Sequence, residues 1–456
     1  MNQSDDTKPT PVATTPQQAG DAQAPWGWVE RSVWTERMLT RLTSGESANR
    51  VWFRLWDKTY APANLASAFH KVWQNGGSAG ADAQTVAHFA RHAEEELSRL
   101  AEQMSHGTYR PQPVRRAWIP KPGSIEKRPL GIPAVRDRIV QGALRHVLEP
   151  IFEAEFAGHS YGFRPGRGAK DALRRVDTLL KTGHDWVVDA DLKSYFDTIP
   201  HERLLALVNE RVADGRVLAL VESFLRAGLL EQAKGWQPTE RGTPQGGVIS
   251  PLLANLYLSP LDQQMEKAGL EIVRYADDFV ILCRSAAEAQ DALAAVRPWV
   301  SEAGLTLHPE KTRVVDARAP GGFDVLGYHF ERGMKWPRPK SLAKLKERVR
   351  AKTGSSGGFV LLVGRVDWRG EPEFALACLR RAGGLRLCPH RVSPGDGRVS
   401  SDRGLPVAGV SALPRAGDHP QGQALPAHPD RAHRAQARAS GDRSAAMSVS
   451  AMRAGV

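Results

Sequence analysis

The sequence YADD, residues 275–278, lies between two short apolar runs at residues 272–273 and 279–282. Two β-prone segments joined by a tight acidic link predict a β-hairpin with Asp277 and Asp278 at its tip. Adjacent carboxylates at a turn repel each other, and a divalent cation such as Mg²⁺ removes that penalty because it prefers hard oxygen ligands. The alternative is a solvated turn, since Asp is favoured in turns for its own backbone hydrogen bonds.

The composition indicates a nucleic-acid partner. The chain has 456 residues, enough for two or three domains, and its 62 Lys and Arg against 50 Asp and Glu give a net charge of +12. This surplus favours a polyanionic ligand, although an arginine-rich composition also arises from a GC-rich gene. Cys283, Cys378 and Cys388 have neither disulfide nor zinc-site spacing. The first residues are polar and no run of about 18 apolar residues is present, so we expect a cytoplasmic protein.

The first third of the chain predicts a helical region and a basic hairpin. Residues 1–25 are rich in Pro, Thr, Gln and Ala, which predicts disorder. Residues 26–105 combine helical spacing with recurrent tryptophans, which we assign mostly to a core. Residues 110–133 predict two strands around a turn, with Lys121 and Arg128 facing the same space. An ammonium and a guanidinium there suit a triphosphate, and two solvated basic residues are the alternative.

The middle of the chain alternates helices with loops rich in glycine. Residues 137–152 predict an amphipathic helix, and the Gly- and Arg-rich loop 160–168 lets backbone approach a phosphate strand. A buried strand ends at Asp191, and we interpret Asp197 as the cap of the next helix. In residues 241–251, Pro and Gly mark a turn where another backbone or a base comes near.

Eight blocks, in this order, resemble the reverse transcriptases encoded by bacterial group II introns, the intron-borne RT/maturase family. The blocks are IPKPGSIEKRPLGIP, RDRIVQGALRHVLEPIFE, SYGFRPGRGAKDAL, DADLKSYFDTIPH, RGTPQGGVISPLLANLYL, RYADDFVIL, GLTLHPEKT and FDVLGYHF. The resemblance implies an α+β fold with a right-hand polymerase core, in which an antiparallel palm sheet and helices join the fingers. We expect a helical N-terminal extension at 26–105, fingers and palm at 106–335, and the start of a thumb at 336–353.

The resemblance also implies roles for individual residues. Asp191, Asp277 and Asp278 match the catalytic carboxylates that bind two Mg²⁺ ions, for which Mn²⁺ can substitute; the ions activate the primer 3′-hydroxyl and stabilise the leaving pyrophosphate. The residues that match dNTP contacts are Lys121, Arg128, Phe196, Gln245 and Gly246, with Phe196 as the aromatic that excludes a 2′-hydroxyl. Those expected at the primer–template are Tyr275, Arg164 and Gly247.

The sequence departs from the family after about residue 353. Residues 354–456 are dense in Arg, Ala, Pro and Gly without a sustained period, which predicts a disordered tail. The family's thumb signature does not appear, and residues 368–370 are its nearest fragment. We therefore expect an incomplete thumb, as in a truncated or frameshifted intron protein. Nonspecific RNA binding by the basic tail is a second interpretation.

These observations favour an RNA-directed DNA polymerase of group II intron type. It would transfer dNTPs onto a primer 3′-hydroxyl, with intron RNA as template, a DNA primer or target, and no membrane partner. A residual role in intron splicing and mobility stays open, and we expect association with the nucleoid through nucleic-acid binding. The alternatives are a non-catalytic splicing cofactor that binds intron RNA, and an inactive remnant, because a polymerase without a thumb grips primer–template poorly.

Overall fold

The computed structural model describes residues 26–43, 51–120 and 127–353, and beyond them only short strands between residues 360 and 400. The predicted disorder of residues 1–25 and the predicted position of Lys121 therefore lie outside the described residues.

Helices and strands alternate along the described ranges. The helices are α1 Glu36–Thr43, α2 Trp56–Thr59, α3 Pro62–Asn75, α4 Val86–Arg91, α5 Ala93–Ser105, α6 Val135–Glu153, α7 Ala169–Lys181, α8 Tyr195–Thr198, α9 His201–Asn209, α10 Gly215–Leu225, α11 Ser250–Lys267, α12 Ala286–Glu302 and α13 Pro339–Thr353. The strands are β1 Val114–Pro120, β2 Lys127–Ile132, β3 Trp186–Asp191, β4 Leu229–Glu231, β5 Gly235–Gln237, β6 Glu271–Tyr275, β7 Asp278–Cys283, β8 Arg313–Asp316, β9 Phe323–Val325, β10 Tyr328–Glu331, β11 Met334–Pro337, β12 Val360–Val366, β13 Pro372–Arg380, β14 Gly384–Cys388, β15 Arg391–Val392 and β16 Val399–Ser400. Among the described helices, none is long and apolar enough to cross a membrane.

The N-terminal helices pack on α6, whose apolar residues recur at helical spacing as the sequence predicts. The indole of Trp34 is fully buried and donates a hydrogen bond to the His146 carbonyl at 2.9 Å. The amide of Asn64 donates to the Ala143 carbonyl at 3.0 Å. Buried polar groups need such partners, so these bonds fix the position of the extension on α6. Trp73, by contrast, is 56% exposed.

Two sheets of four strands each frame the candidate site. The first sheet has the order β2-β1-β4-β5, with β1 and β2 antiparallel, and we call it the fingers sheet. The second has the order β6-β7-β3-β8, is antiparallel throughout, and is called the palm sheet. The fold therefore matches the expected antiparallel palm with helices.

The palm sheet is covered on both faces, which is why its central strands are almost continuously apolar. Phe279 and Ile281 belong to the large core shared with α11 and α12, whereas Val280 and Leu282 pack in a second cluster with α7 and β9. Because side chains alternate along a strand, Asp278 lies on the face of Val280. The strand register therefore selects which face of the sheet receives the carboxylates.

The chain after the palm sheet continues in β9, β10 and β11, which pair antiparallel in sequence order. The helix predicted over residues 341–350 is present as α13, while its assignment to a thumb stays a prediction. In the segment predicted as a disordered tail, the structure describes the short strands β12 to β16, and the order of the tail stays a prediction. The run VLLV at residues 360–363 is rich in residues that favour strands.

Candidate active site

The acidic hairpin is present where the sequence predicts it. Tyr275 pairs with Asp278 across the ladder, which leaves Ala276 and Asp277 as a two-residue link. Ala276 has φ +61°, a left-handed conformation that costs energy for a residue with a side chain. Asp277 is thus in the turn and Asp278 is the first residue of β7.

A buried arginine holds this turn in place. Arg274 has no exposed surface, and its Nε donates to Asp262 Oδ1 of α11 at 2.8 Å. Its Nη1 donates to the Ala276 carbonyl at 2.9 Å and to Asn255 Oδ1 at 3.0 Å. Burial works against the charge, but the Asp262 carboxylate outweighs it, and the pKa of Arg274 is raised. The guanidinium therefore joins α11, β6 and the acidic turn.

The glycine-rich loop at residues 160–168 supports the turn from the other side. A Cβ on Gly162 would lie 2.3 Å from the Ala276 backbone nitrogen, a distance that no side chain tolerates. The Gly162 carbonyl also accepts a hydrogen bond from the Asn255 amide at 2.7 Å. The loop approaches protein backbone closely at Gly162, and its approach to a phosphate strand stays a prediction.

The prediction of a primer–template contact for Arg164 is wrong for its side chain. That side chain is 2% exposed and pairs with Glu153 at 2.8 Å. Its Nη1 donates to the carbonyls of Ala157 and Ser160 at 2.6 and 2.8 Å. All of these bonds are internal, because a buried guanidinium must satisfy its donors within the protein. Arg164 fastens the loop to the end of α6.

The palm register brings the predicted carboxylates together. Asp191, the last residue of β3, is directly opposite Asp278 of β7, although 87 positions separate them in sequence. The His308 backbone N–H donates to the Asp191 carbonyl at 2.7 Å, and the Lys311 ammonium forms a salt bridge with the Asp191 carboxylate. The sequence analysis did not single out Lys311 and His308. Both lie in the GLTLHPEKT block, and that position could have indicated them.

A cleft of about 840 Å³ opens beside these carboxylates. The predicted residues that line it are Arg128, Phe196, Asp191, Asp277, Gln245, Gly246 and Gly247, and the unpredicted ones include Lys127, Phe163, Lys193, His308 and Lys311. Tyr275 is placed next to it through Phe163, since the two rings are 6.5 Å apart between centroids. Basic side chains and the carboxylates Asp191 and Asp277 therefore line one cleft.

The glycines of the loop at residues 241–251 serve contacts between backbones. Gly246 has φ +113°, and a Cβ there would lie 2.3 Å from the Gly131 carbonyl oxygen of β2. The Gly131 N–H donates to the Gln245 carbonyl at 2.6 Å. The close approach predicted for Gly246 is thus the approach of the fingers sheet, and it positions Gln245 at the cleft.

Asp197 does not cap a helix, contrary to the sequence prediction. It lies inside the one-turn helix α8, and the following helix α9 begins after Pro200 with no side-chain cap. Its carboxylate instead lines the cleft. The tight turn at Pro200 leaves the helix start without a side-chain acceptor.

Comparisons with known proteins agree with this geometry. A family model described as reverse transcriptase (RNA-dependent DNA polymerase) matches residues 119–330. The chain is 31% identical over 346 residues to protein YkfC of Escherichia coli (strain K12), covering 68% of this chain and 86% of that protein. It is 39% identical over 235 residues to group II intron-encoded protein LtrA of Lactococcus lactis subsp. cremoris.

The chain belongs to the group II intron reverse transcriptase family. The alignment with LtrA covers 50% of this chain and 38% of LtrA, so the chain spans well under half of that relative. One solved relative, a chain of a partial Cas6-RT-Cas1–Cas2 complex, is 28% identical with a TM-score of 0.34, and covers 54% of this chain and 41% of its own. Family membership therefore rests on the sequence matches and not on that superposition.

Reverse transcriptases use divalent metal ions, and carboxylate oxygens are the donors that such ions prefer. Burial, with Asp189, Asp191 and Asp277 nearby, raises the pKa of Asp278 to about 7. Burial and the Asp191 charge also raise the pKa of Asp277. Lys311 compensates only part of the negative charge of these hard oxygen donors, and a divalent cation would neutralise more of it. In the part of the chain that the structure describes, no group of three or more His, Cys, Asp or Glu side chains is arranged to hold a metal ion.

Removing one of these charges should stabilise the metal-free protein. The pKa of Asp278 rises from an ordinary 3.8 to about 7, so the folded state penalises its charged form. That penalty is absent below pH 4 and complete above pH 7, and stability is lost as pH rises through this window. We expect Asp278→Asn to raise the free energy of unfolding at pH 8 by about 1–3 kcal/mol, so that the variant unfolds at a higher urea concentration. Near pH 4 the variant should match the wild type.

The measurement is urea unfolding in EDTA at both pH values. Asp291→Asn, on the exposed surface of α12, is the matched control and should change little at either pH. An equal gain for Asp278→Asn at both pH values would contradict the electrostatic explanation.

The Arg274 ion pair gives a second prediction. Arg274→Leu leaves Asp262 buried and unpaired, and should cost about 3–5 kcal/mol of stability. Arg274→Leu/Asp262→Leu removes both charges and should recover most of that loss, because apolar replacements of buried pairs are close to neutral. Chemical denaturation measures both. The exposed pair Arg226–Glu222 at the C-terminal end of α10, changed in the same way, should cost under about 1 kcal/mol. A double variant no more stable than Arg274→Leu would refute the unpaired-charge argument.

Proposed function

We propose that the protein is an RNA-directed DNA polymerase that adds deoxynucleotides to the 3′-hydroxyl of a primer. The observation that carries this proposal is the register of the palm sheet, which places Asp191 opposite Asp278, with Asp277 lining the same cleft. Membership of the reverse transcriptase family supports the same chemistry. The proposed substrates are dNTPs, a DNA primer and an intron RNA template, in the cytoplasm at the nucleoid.

The proposed mechanism depends on positioning and charge. Mg²⁺, or Mn²⁺ in its place, would neutralise the attacking 3′-oxygen and the leaving pyrophosphate when bound. Asp191, Asp277 and Asp278 are the residues that would hold it. Arg128, at the cleft, would bind triphosphate oxygens through its planar fork, and Lys121 is proposed beside it. These residues make no covalent bond to the nucleotide, so the rate enhancement comes from alignment and electrostatics.

Phe196 would select the sugar of the incoming nucleotide by steric contact. It lines the cleft on α8, and the preceding residue Tyr195 is buried with its hydroxyl bonded to the Ala254 carbonyl at 2.6 Å. The helix is therefore anchored to α11 one residue from the ring. A fixed ring at this position would exclude a 2′-hydroxyl by contact.

A role in intron RNA splicing and mobility is proposed alongside polymerisation. The net charge of +12 and the relatives named as intron maturases, such as nuclear intron maturase 4 of Arabidopsis thaliana at 33% identity over 144 residues, support it. RNA binding needs the basic surface but not the acidic cleft. Loss of the catalytic carboxylates should therefore separate the two activities.

Primer extension tests the polymerase directly. With purified full-length protein, an RNA template and dNTPs, we expect Mg²⁺-dependent cDNA from the wild type. Asp277→Ala/Asp278→Ala should lose at least about 10³-fold in rate, since it removes metal-binding charge from the cleft. The same variant should retain binding of intron RNA in a filter assay. A folded wild type that makes no cDNA would refute the polymerase and leave the RNA-binding cofactor.

The proposed exclusion of a 2′-hydroxyl by Phe196 gives a separate prediction. Phe196→Ala should raise incorporation of ribonucleotides relative to deoxynucleotides by roughly 10–100-fold, because the steric barrier to a 2′-hydroxyl is removed. The ratio of kcat/KM for rNTP and dNTP measures it. Phe163→Ala removes a neighbouring ring, whose centroid is 6.3 Å from that of Phe196, and should leave the ratio unchanged. An unchanged ratio in Phe196→Ala would remove Phe196 from the sugar contact.

A further inference from the structure

A second cavity lies beside the active-site cleft, between the fingers sheet and the loop of residues 238–245. It has a volume of about 170 Å³. Three residues, Pro129, Asp197 and Gln245, line both this cavity and the cleft. The two spaces therefore adjoin. We call this space the side cavity.

The walls of the side cavity suit a single nucleic-acid strand. Arg116 and Arg241 line it, and guanidinium groups bind phosphate oxygens through paired hydrogen bonds. The Arg116 guanidinium also lies 5.8 Å from the ring centroid of Trp118, which is 46% exposed on the adjacent part of β1. Exposed aromatic rings beside a basic groove provide stacking surfaces for unpaired bases.

Asp197 is the residue that does not fit a simple phosphate site. Burial in the cavity wall raises the pKa of Asp197, although Arg116 lowers it. Within the described residues, no donor forms a hydrogen bond to this carboxylate. A carboxylate on the path of a polyanion costs binding energy unless the ligand brings a donor to it. The ligand therefore needs a hydroxyl or an amine at this position.

Backbone contacts fix Asp197 relative to the loop that carries Arg241. The Gly242 N–H donates to the Ile199 carbonyl and the Thr243 N–H donates to the Phe196 carbonyl, each at 2.7 Å. A Cβ on Gly242 would lie 2.8 Å from the Asp197 Cα, so the loop rests directly on α8. Arg241 and Asp197 are thereby held at a set distance, and the site is built into the fold.

We propose that the side cavity receives the RNA template strand next to the nascent base pair, and that Asp197 selects ribose in that strand by accepting a hydrogen bond from a 2′-hydroxyl. This inference rests on the proposed polymerase function. RNA offers the 2′-hydroxyl donor and DNA does not, so the same carboxylate favours an RNA template and repels a DNA template. Two neighbouring residues of the short helix α8 would then contact two sugars, Phe196 that of the incoming nucleotide and Asp197 that of the template.

The test compares kcat/KM for primer extension on RNA and DNA templates of one sequence with one DNA primer. Asp197→Ala should lower the RNA-to-DNA efficiency ratio about tenfold or more, through a loss on RNA and a gain on DNA. Asp197→Asn keeps an acceptor oxygen and should retain part of the preference. Glu240→Ala removes the same charge from the rim of the side cavity and should affect both templates by the same factor.

Each other result overturns the inference. An unchanged ratio in Asp197→Ala, equal losses on both templates, or the same shift in Glu240→Ala would show that Asp197 does not read the template sugar. Each of these results presupposes that the wild type extends the primer, so none of them contradicts the proposed polymerase function. A wild type that extends neither template would refute the proposed function and the inference together. The thermal unfolding temperature of each variant is measured to check that the variant is folded.

Discussion

Arg274 and Asp262 form an ion pair that is shielded from water, and the remaining donors of the guanidinium reach the Ala276 carbonyl and the Asn255 side chain. A buried pair contributes little net stability because desolvation offsets much of the Coulomb attraction. Its value here is geometric. One rigid, planar group joins a helix, a strand and the acidic turn, and Asn255 extends the connection to the loop at Gly162. The acidic turn has no freedom to relax away from the cleft.

That rigidity matters because the carboxylates in the palm oppose folding. Asp278 is crowded by Asp189, Asp191 and Asp277, and burial adds to the cost of its charge. The apolar cover on both faces of the palm sheet offsets the penalty, since strands buried on both faces contribute the most hydrophobic area. The metal-free site thus stores repulsion that a divalent cation would relieve, a common arrangement at functional sites. Lys311 supplies partial compensation through its salt bridge with Asp191.

The fingers sheet meets the palm region through a close contact between backbones. Gly131 and Gly246 allow β2 and the loop at residues 241–251 to approach within hydrogen-bond distance, and Gln245 follows from that contact. Backbone contacts of this kind permit small adjustments only. The cleft and the side cavity both border this contact, since Gln245 lines each of them. A nucleotide in the cleft and a strand in the side cavity would be aligned by the same contact.

The sequence by itself determined the local elements and the identity of the carboxylates. Apolar runs around YADD predicted the hairpin, helical spacing predicted α6, and the family blocks picked out Asp191, Asp277 and Asp278, because these signals depend on residues that are neighbours in the chain. The tertiary structure alone decided which charged residues are buried and with whom. Arg164 was expected at nucleic acid and is paired internally with Glu153, while Arg274 went unnoticed and anchors the turn. The physical reason is that the partner of a buried charge is set by packing between distant segments, which no local period encodes.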